Sequence, residues 1–267
     1  MKLLQHEDII QVKLTVSMAG THLNVNVFFI DGLLIDTGPA RLKNSLIPYF
    51  KELPIEQVAL THHHEDHTGL AGWLLHHRKR PLYIHGSGIE YCLQPPVLPF
   101  YRKVFWGKRD AFAPEKMPGR IETNSLTFHV EHSPGHAPDH VALIDKENGR
   151  LFSGDLYVLP HPKSLFAFES VPEIIRSIKR LLSYDFETLI CSHAGVIPKG
   201  KEKLAAKLSY LEEIREQVLS LYENGMPANR IRKELFPKIH PLQIMSFFEN
   251  SSTHLITSIL AEYKHPY

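Results

Sequence analysis

Residues 62 to 67 read His-His-His-Glu-Asp-His, directly behind the apolar run Val58-Ala59-Leu60. Imidazole nitrogens and carboxylate oxygens together suit zinc, iron or manganese, whereas calcium prefers an all-oxygen cage and softer ions prefer thiolates. In an extended segment residues i and i+2 point the same way, so His62 and His64 can grip one ion as the chain leaves its strand. Asp66 and His67, where the chain turns into a helix, aim at a second ion, and Gly69 and Gly72 let that helix approach closely. The helical protease pattern His-Glu-x-x-His is not met, because His64-Glu65-Asp66-His67 runs on into Thr68. His63 and Glu65 alternate out of phase with these positions and are expected at the rim or facing solvent.

The rest of a two-metal site lies downstream, each part at an expected strand end. His136 follows a Pro-Gly turn in SPGHAPDH, Asp155 ends LFSGD with a carboxylate able to bridge two cations, and His193 ends TLICSH. His132 and His140 flank the third motif, either as support behind His136 or as buried, satisfied histidines. His76, His77, His85 and His129 have no partner spacing.

These motifs need strands to carry them. Short runs rich in β-branched residues recur at 12–18, 24–30, 33–38, 57–62, 81–86, 125–132, 140–145, 150–155 and 188–193. FFIDGLL reads as a hairpin turning at Asp31-Gly32. Helical patterns at 40–53, 67–78 and 171–184 alternate with the strands, which predicts an α/β layered sandwich. Residues 94–119, rich in Pro, aromatic and basic residues, fit neither period and read as an insertion with at most a short helix, a lid or a surface loop. After residue 200 the stripe Leu204, Leu208, Leu211, Ile214, Val218, Leu221 starts an all-helical extension, 201–267, with a last helix from about Leu242 to Tyr263. Residues 1–200 are then the catalytic domain.

Composition narrows the classes. The chain has 267 residues, 43% hydrophobic and 22% charged, with formal net charge +1, so no global field recruits nucleic acid or an anionic membrane. No run is apolar and long enough for a membrane span, and charges break the N-terminal stretch where a signal peptide would need an apolar core. The two cysteines, Cys92 and Cys191, are too few for a disulfide framework, so a cytoplasmic setting is expected, with Cys191 inert inside a buried strand.

The chain resembles the metallo-β-lactamase superfamily, whose motif series is matched in order by Asp36 in LIDTGP, by THHHEDH, and by His136, Asp155 and His193, over about residues 10 to 200. The resemblance implies a four-layer αββα sandwich with metals between the ends of two sheets, here carrying the helical extension. It also implies that His62, His64 and His136 hold one ion, that Asp66, His67 and His193 hold the other, that Asp155 bridges them, and that Asp36 is a supporting carboxylate. The expected cofactors are two divalent metal ions, with Zn²⁺ favoured over Fe or Mn. Two such ions ~3.5–4 Å apart share a hydroxide and bring the pKa of its parent water towards ~7, and Asp66 can pass the proton to the leaving group. With no Walker motif and no nucleophile elbow, hydrolysis is the default reaction.

The expected substrate is a small molecule with an ester-like bond: a thioester, lactone or carboxylic ester. Zinc β-lactamases usually have Cys where Asp155 stands, which argues against antibiotic hydrolysis. THHHEDHTG and PGHAPDH are similar to the glyoxalase II branch, although the glutathione-binding residues of that branch are not matched. Lactonases place a Tyr three residues after the bridging Asp, and Tyr157 stands two after. The alternative is a phosphodiesterase or endoribonuclease whose helical tail meets nucleic acid through Arg230, Arg232 and Lys233; a flap packed on the sandwich, or a homodimer contact, is favoured for the tail. A mono-iron persulfide-dioxygenase-type oxidoreductase would differ in metal identity and count. Candidate substrate contacts are Tyr157, His161, Tyr101, Arg102 and Trp106.

Overall fold

The β-branched runs of the first third pair in sequence order. Strands β1 (Lys2–His6), β2 (Ile9–Met18), β3 (Thr21–Ile30) and β4 (Leu33–Ile35) form an antiparallel meander. Strands β5 (Gln57–Ala59), β6 (Leu82–Ile84) and β7 (Glu115–Lys116) extend the same sheet in parallel. The structure is a computed structural model and describes residues 1–18 and 21–264. The β3–β4 turn has φ of 46° at Asp31 and 84° at Gly32, the two left-handed positions of the mirror-image turn whose twist matches a two-residue hairpin.

The second sheet runs through β8 (Arg120–Glu122), β9 (Thr127–His132), β10 (Val141–Asp145) and β11 (Arg150–Gly154), all antiparallel neighbours. A short strand, β12 (Leu165–Phe166), leaves this sheet, which resumes with β13 (Thr188–Cys191), parallel to β11, and β14 (Gly195–Ile197). Side chains alternate faces along each strand. Phe28, Ile30 and Ile35 of the first sheet therefore meet Phe128, Val141, Leu143 and Phe152 of the second in one dry layer. The Phe152 ring takes Phe28 and Phe128 edge-on, each at 5.9 Å between centroids, the favoured aromatic geometry.

The outer faces are covered by helices. Val12, Leu14, Val25 and Val27 pack against α1 (Lys43–Glu52), α3 (Ala71–Arg78) and α5 (Phe100–Trp106), while the short α2 (Glu65–Thr68) and α4 (Ile89–Cys92) lie in the connecting loops. On the other side α6 (Val171–Leu181) starts at Ser170, whose hydroxyl accepts the Glu173 N–H, and buries Val171, Ile174, Ile175, Ile178 and Leu181. It packs with α7 (Gly200–Glu223) over Ala142, Ile144 and Leu189. The layers are helix, sheet, sheet, helix, the four-layer αββα sandwich.

Two sequence expectations change here. The last helix is broken into α9 (Pro241–Met245) and α10 (Ser252–Lys264), after the short α8 (Ala228–Leu235). Phe247 and Phe248 adopt left-handed φ of 51° and 63°, which no helix continues through, and β15 (Asn250–Ser251) pairs with β12. Residues 94–119 are also more built than a surface loop. Phe100–Trp106 is helical and Glu115–Lys116 closes the first sheet, while Arg109 is buried and donates to the carbonyls of Tyr91, Cys92 and Gln94. The C-terminal helices share one apolar cluster with the second sheet, through Leu204, Leu211, Val218, Leu255 and Ile259. Among the described residues no helix is long and apolar enough to cross a membrane.

Candidate metal centre

Four strands end at one rim. Asp36 follows β4, Thr61 to His67 follow β5, Asp155 follows β11, His193 follows β13, and the β9–β10 connection adds His136. All seven residues expected to be ligands converge there. His62, His64 and His136 form one group, Asp66, His67 and His193 another, and Asp155 joins His62 and His67 between them; within each group the candidate ligand atoms lie within 4.8 Å of one another. His64 Nδ1 stands 2.9 Å from His62 Nε2 and 3.1 Å from His136 Nε2. Asp155 Oδ2 stands 2.9 Å from His193 Nε2, 3.4 Å from His67 Nε2 and 3.5 Å from His136 Nε2.

These residues fit a pair of divalent cations. His67 Nε2 and Asp155 Oδ1 are buried with no hydrogen-bond partner among the described residues, a placement that costs about 1–3 kcal/mol per group unless something else satisfies it. The rings are oriented from behind. His67 Nδ1 donates to Asp36 Oδ2 at 2.8 Å and His136 Nδ1 to Glu169 Oε1 at 2.8 Å. Nδ1 is thus committed to the carboxylate behind each ring, and Nε2 faces the cluster. His193 Nδ1 bonds the Asn24 carbonyl, and Asn26 donates twice to the Ser192 carbonyl, tying the two sheets beside it. His140 is held neutral, with its pKa pushed down to about 3 by burial and then by His136. It accepts the Asp155 N–H at 3.0 Å while Nδ1 serves the Ser133 carbonyl at 3.0 Å. His140 is thus a buried, satisfied histidine, and what it holds from behind is the Asp155 backbone and not His136.

Burial, followed by the surrounding imidazoles, holds His62 and His64 well below an ordinary imidazole. His67 goes the other way: burial opposes its charge, but Asp155, Asp66 and Asp36 raise it well above the usual value. His193 is raised to about 9 by Asp155 against the same burial, and His193 and His67 hold Asp155 low despite its burial. Protons therefore stand where cations would, and metal binding has to displace them.

Two glycines make the close approaches possible. A Cβ on Gly69 would fall 2.2 Å from the Ala40 nitrogen, and one on Gly154, whose φ is +48°, would fall 2.5 Å from His140 Nε2. Glu65 differs from its expected solvent-facing place. It is buried and takes a two-point bond from Arg102, at 2.6 and 2.8 Å, because the helical turn at residue 65 rotates the chain out of the strand's alternation. His63 is half-buried, bonded to Asp139 at 2.7 Å and stacked on Tyr91. Cys92 and Cys191 are buried free thiols whose pKa values burial raises, that of Cys92 to about 12.

Two cavities of about 170 Å³ each open on the cluster. The first has His64, Asp66, His136, Asp155 and His193 at its floor and Tyr101, Phe105, Trp106, Phe166 and Phe168 as walls. The second shares His136, Asp155 and His193 and reaches Lys207 and Asn250. Of the residues expected to contact substrate, Tyr101, Arg102 and Trp106 line the first cavity. Tyr157 and His161 do not: Tyr157 is buried in the cluster beneath α6 and α7, and His161 packs on the Tyr210 ring. Phe105, Phe166 and Phe168 carry no chemical signature in sequence. Lys207 does, as a lysine on the apolar stripe of α7.

Residues 20–193 match the profile of the metallo-beta-lactamase superfamily. A probable metallo-hydrolase of Bacillus subtilis is 26% identical, with 93% of this chain and 91% of that protein covered. An atrochrysone carboxyl ACP thioesterase of Emericella nidulans is 29% identical over 76% of this chain and 58% of its own length. The chain spans 59% and 57% of the length of two fungal lactamase-like relatives that it matches. Among solved structures, a beta-lactamase domain protein from Burkholderia ambifaria superposes with a TM-score of 0.71 at 19% identity, covering 98% of this chain and 88% of that one.

Proposed function

The chain belongs to the metallo-beta-lactamase superfamily, and on that premise we propose that it hydrolyses a carboxylic ester or thioester at a dinuclear metal centre. The observation that carries the reading is the aromatic-walled cavity whose floor is the His/Asp cluster. Its apolar walls suit the apolar side of an ester or thioester, and the 29% identity to a protein named as a thioesterase is consistent with that bond type.

His62, His64 and His136 would hold one ion, Asp66, His67 and His193 the other, with Asp155 shared. When bound, the ions polarise the substrate's carbonyl and bring the pKa of water towards ~7. The chain's own contribution is orientation. Asp36, Glu169 and His140 fix His67, His136 and Asp155 through the bonds described above. Asp66 Oδ2, 3.5 Å from His193 Nε2 and 3.6 Å from His67 Nε2, would take the water's proton and return it to the leaving group. In balance, hydroxyl joins the acyl carbon, the C–O or C–S bond breaks, and the proton goes to the departing oxygen or sulfur. The aromatic walls exclude bulk water from the apolar side of the scissile bond, which strengthens each electrostatic interaction inside.

The test compares initial rates of the metal-loaded protein on an acyl thioester, a lactone and an activated phosphodiester, with Asp66→Ala as the blank. Turnover of a carboxyl substrate that is lost in Asp66→Ala is expected. Cleavage of the phosphodiester alone would replace this reading with the nuclease one and direct attention to Arg230, Arg232 and Lys233.

A further inference from the structure

Helix α7 buries Leu204, Lys207, Leu211, Ile214 and Val218 along one face. These positions follow the three-and-four spacing of an apolar stripe, yet one of them is a lysine. Lys207 is 5% exposed, and burying a cation costs stability unless it is paired. Its ammonium donates to the carbonyls of Leu156 and Tyr157 at 2.7 and 2.6 Å, the two residues after Asp155. An ammonium has three donors. Among the described residues the third has no acceptor, and no carboxylate lies within ion-pair distance. Burial lowers the ammonium's pKa to about 8, which leaves it mostly charged at neutral pH.

The cavity that Lys207 lines begins at His136, Asp155 and His193. Its other polar groups point to the same kind of ligand. Asn250 Oδ1 is taken by the Ser164 hydroxyl at 2.6 Å, leaving its amide N–H groups without an acceptor among the described residues, and Lys163 stands exposed in the wall. Glu169 is the acidic group there outside the metal cluster, and both its oxygens are engaged, one by His136 Nδ1 at 2.8 Å and one by the Phe166 N–H at 2.7 Å. Outside the metal cluster the unengaged side-chain groups are donors or cations, as a pocket for an anion requires.

Because both cavities border His136, Asp155 and His193, one molecule can cross the cluster with an end in each. We propose that the second cavity is an anion subsite, in which Lys207 and Asn250 bind a carboxylate of the substrate. The substrate is then an acidic ester or thioester, apolar on one side of the scissile bond and carboxylate-bearing on the other. The substrate assignment rests on the hydrolase reading above, whereas the subsite itself can be tested without turnover.

Phenyl hydrogen glutarate and phenyl pentanoate share a leaving group and acyl length and differ in a terminal carboxylate against a methyl. For the metal-loaded full chain, kcat/KM is expected to favour the glutarate, and Lys207→Met to lower the glutarate-to-pentanoate ratio by about 10- to 100-fold, the effect of one hydrogen bond to a charged group. Lys207→Arg is expected to restore part of the ratio. Glutarate itself, titrated by calorimetry, is expected to bind the wild type at least about tenfold more tightly than Lys207→Met. If Lys207→Met fails to fold or to hold metal, Asn250→Leu carries the same two measurements. An unchanged ratio together with equal glutarate affinity overturns the subsite, because the carboxylate is then held by the metals or not at all. If neither ester turns over but glutarate binding still depends on Lys207, the hydrolase reading falls and the anion subsite stands.

Discussion

Replacing Asp36 with Asn tests whether the bonds behind the ligands set the metal affinity. Asp36 Oδ1 accepts the Thr61 N–H at 2.8 Å, and Oδ2 accepts from His67 Nδ1 at 2.8 Å and from the Ser192 hydroxyl at 3.3 Å. Asparagine keeps the first of these bonds and tolerates the left-handed φ of 61° at this position, so the backbone has no new reason to move. The amide nitrogen in place of Oδ2 can only donate. His67 must then accept at Nδ1, which shifts its proton to Nε2 and points it at the cluster. One of the three groups proposed to hold the second ion is lost without removing the imidazole. Supporting residues of this kind typically govern metal affinity by 10- to 100-fold, or about 1.4 to 2.8 kcal/mol at about 1.4 kcal/mol per tenfold. Titration against a chromophoric chelator, fitted to two sites, reads the effect directly. One site is expected to weaken by that factor while the other changes little. Wild-type affinity at both sites in Asp36→Asn would refute the claim that Asp36 sets the His67 tautomer.

The pKa values give a pH dependence. His67 and His193 bind protons more tightly in the folded metal-free protein than an ordinary imidazole does, His193 with a pKa of about 9. Their stabilising contribution to that form is full below about pH 6.5 and is lost as pH rises through the folded pKa values. Chelated protein should therefore melt at lower temperature at pH 9 than at pH 6.5 on their account. Metal affinity should rise by about tenfold per pH unit for each proton displaced, and a pH-independent affinity in buffered calorimetry would count against the proton-filled cluster. Arg102→Met leaves Glu65 buried without its ion-pair partner and should cost about 3–5 kcal/mol in denaturant unfolding, with much of it recovered by adding Glu65→Leu. A loss under about 1 kcal/mol would show that the Glu65–Arg102 pair is weak. Gly154→Ala forces a side chain to within 2.5 Å of His140 Nε2 at a left-handed φ, so a loss of about 1–3 kcal/mol and reduced metal content are expected; a melt matching the wild type would mean that the Asp155 turn relaxes freely.

The site was far more legible in the sequence than its surroundings. His62, His64, Asp66 and His67 announce themselves by type and spacing, and Asp155 and His193 by ending apolar runs, because metal chemistry restricts which side chains can serve. Glu65 was misplaced because strand alternation was carried one residue into a helical turn. The break at Phe247 and Phe248 has no sequence signal, since phenylalanine gives no warning of a left-handed backbone. Tyr157 stands one residue from where lactonases carry a tyrosine, yet the chain turns after residue 155 and buries it, and His161 packs on the Tyr210 ring. The cavity walls come from separate stretches, at Leu23, 101–106, Val158, 166–168 and Leu242, and periodicity cannot say that such stretches meet. Lys207 is half legible, three residues after Leu204 and four before Leu211, although the stripe read from the sequence runs through its neighbour Leu208.

The most direct measurement is the metal-to-protein ratio of the stripped full chain after titration with Zn²⁺, read by elemental analysis alongside thioester hydrolysis. Two ions per chain are expected, with hydrolysis appearing as both sites fill and both ions lost in a variant lacking His62 and His67. A single tightly held ion that supports full activity, or hydrolysis that survives complete chelation, would contradict the dinuclear centre.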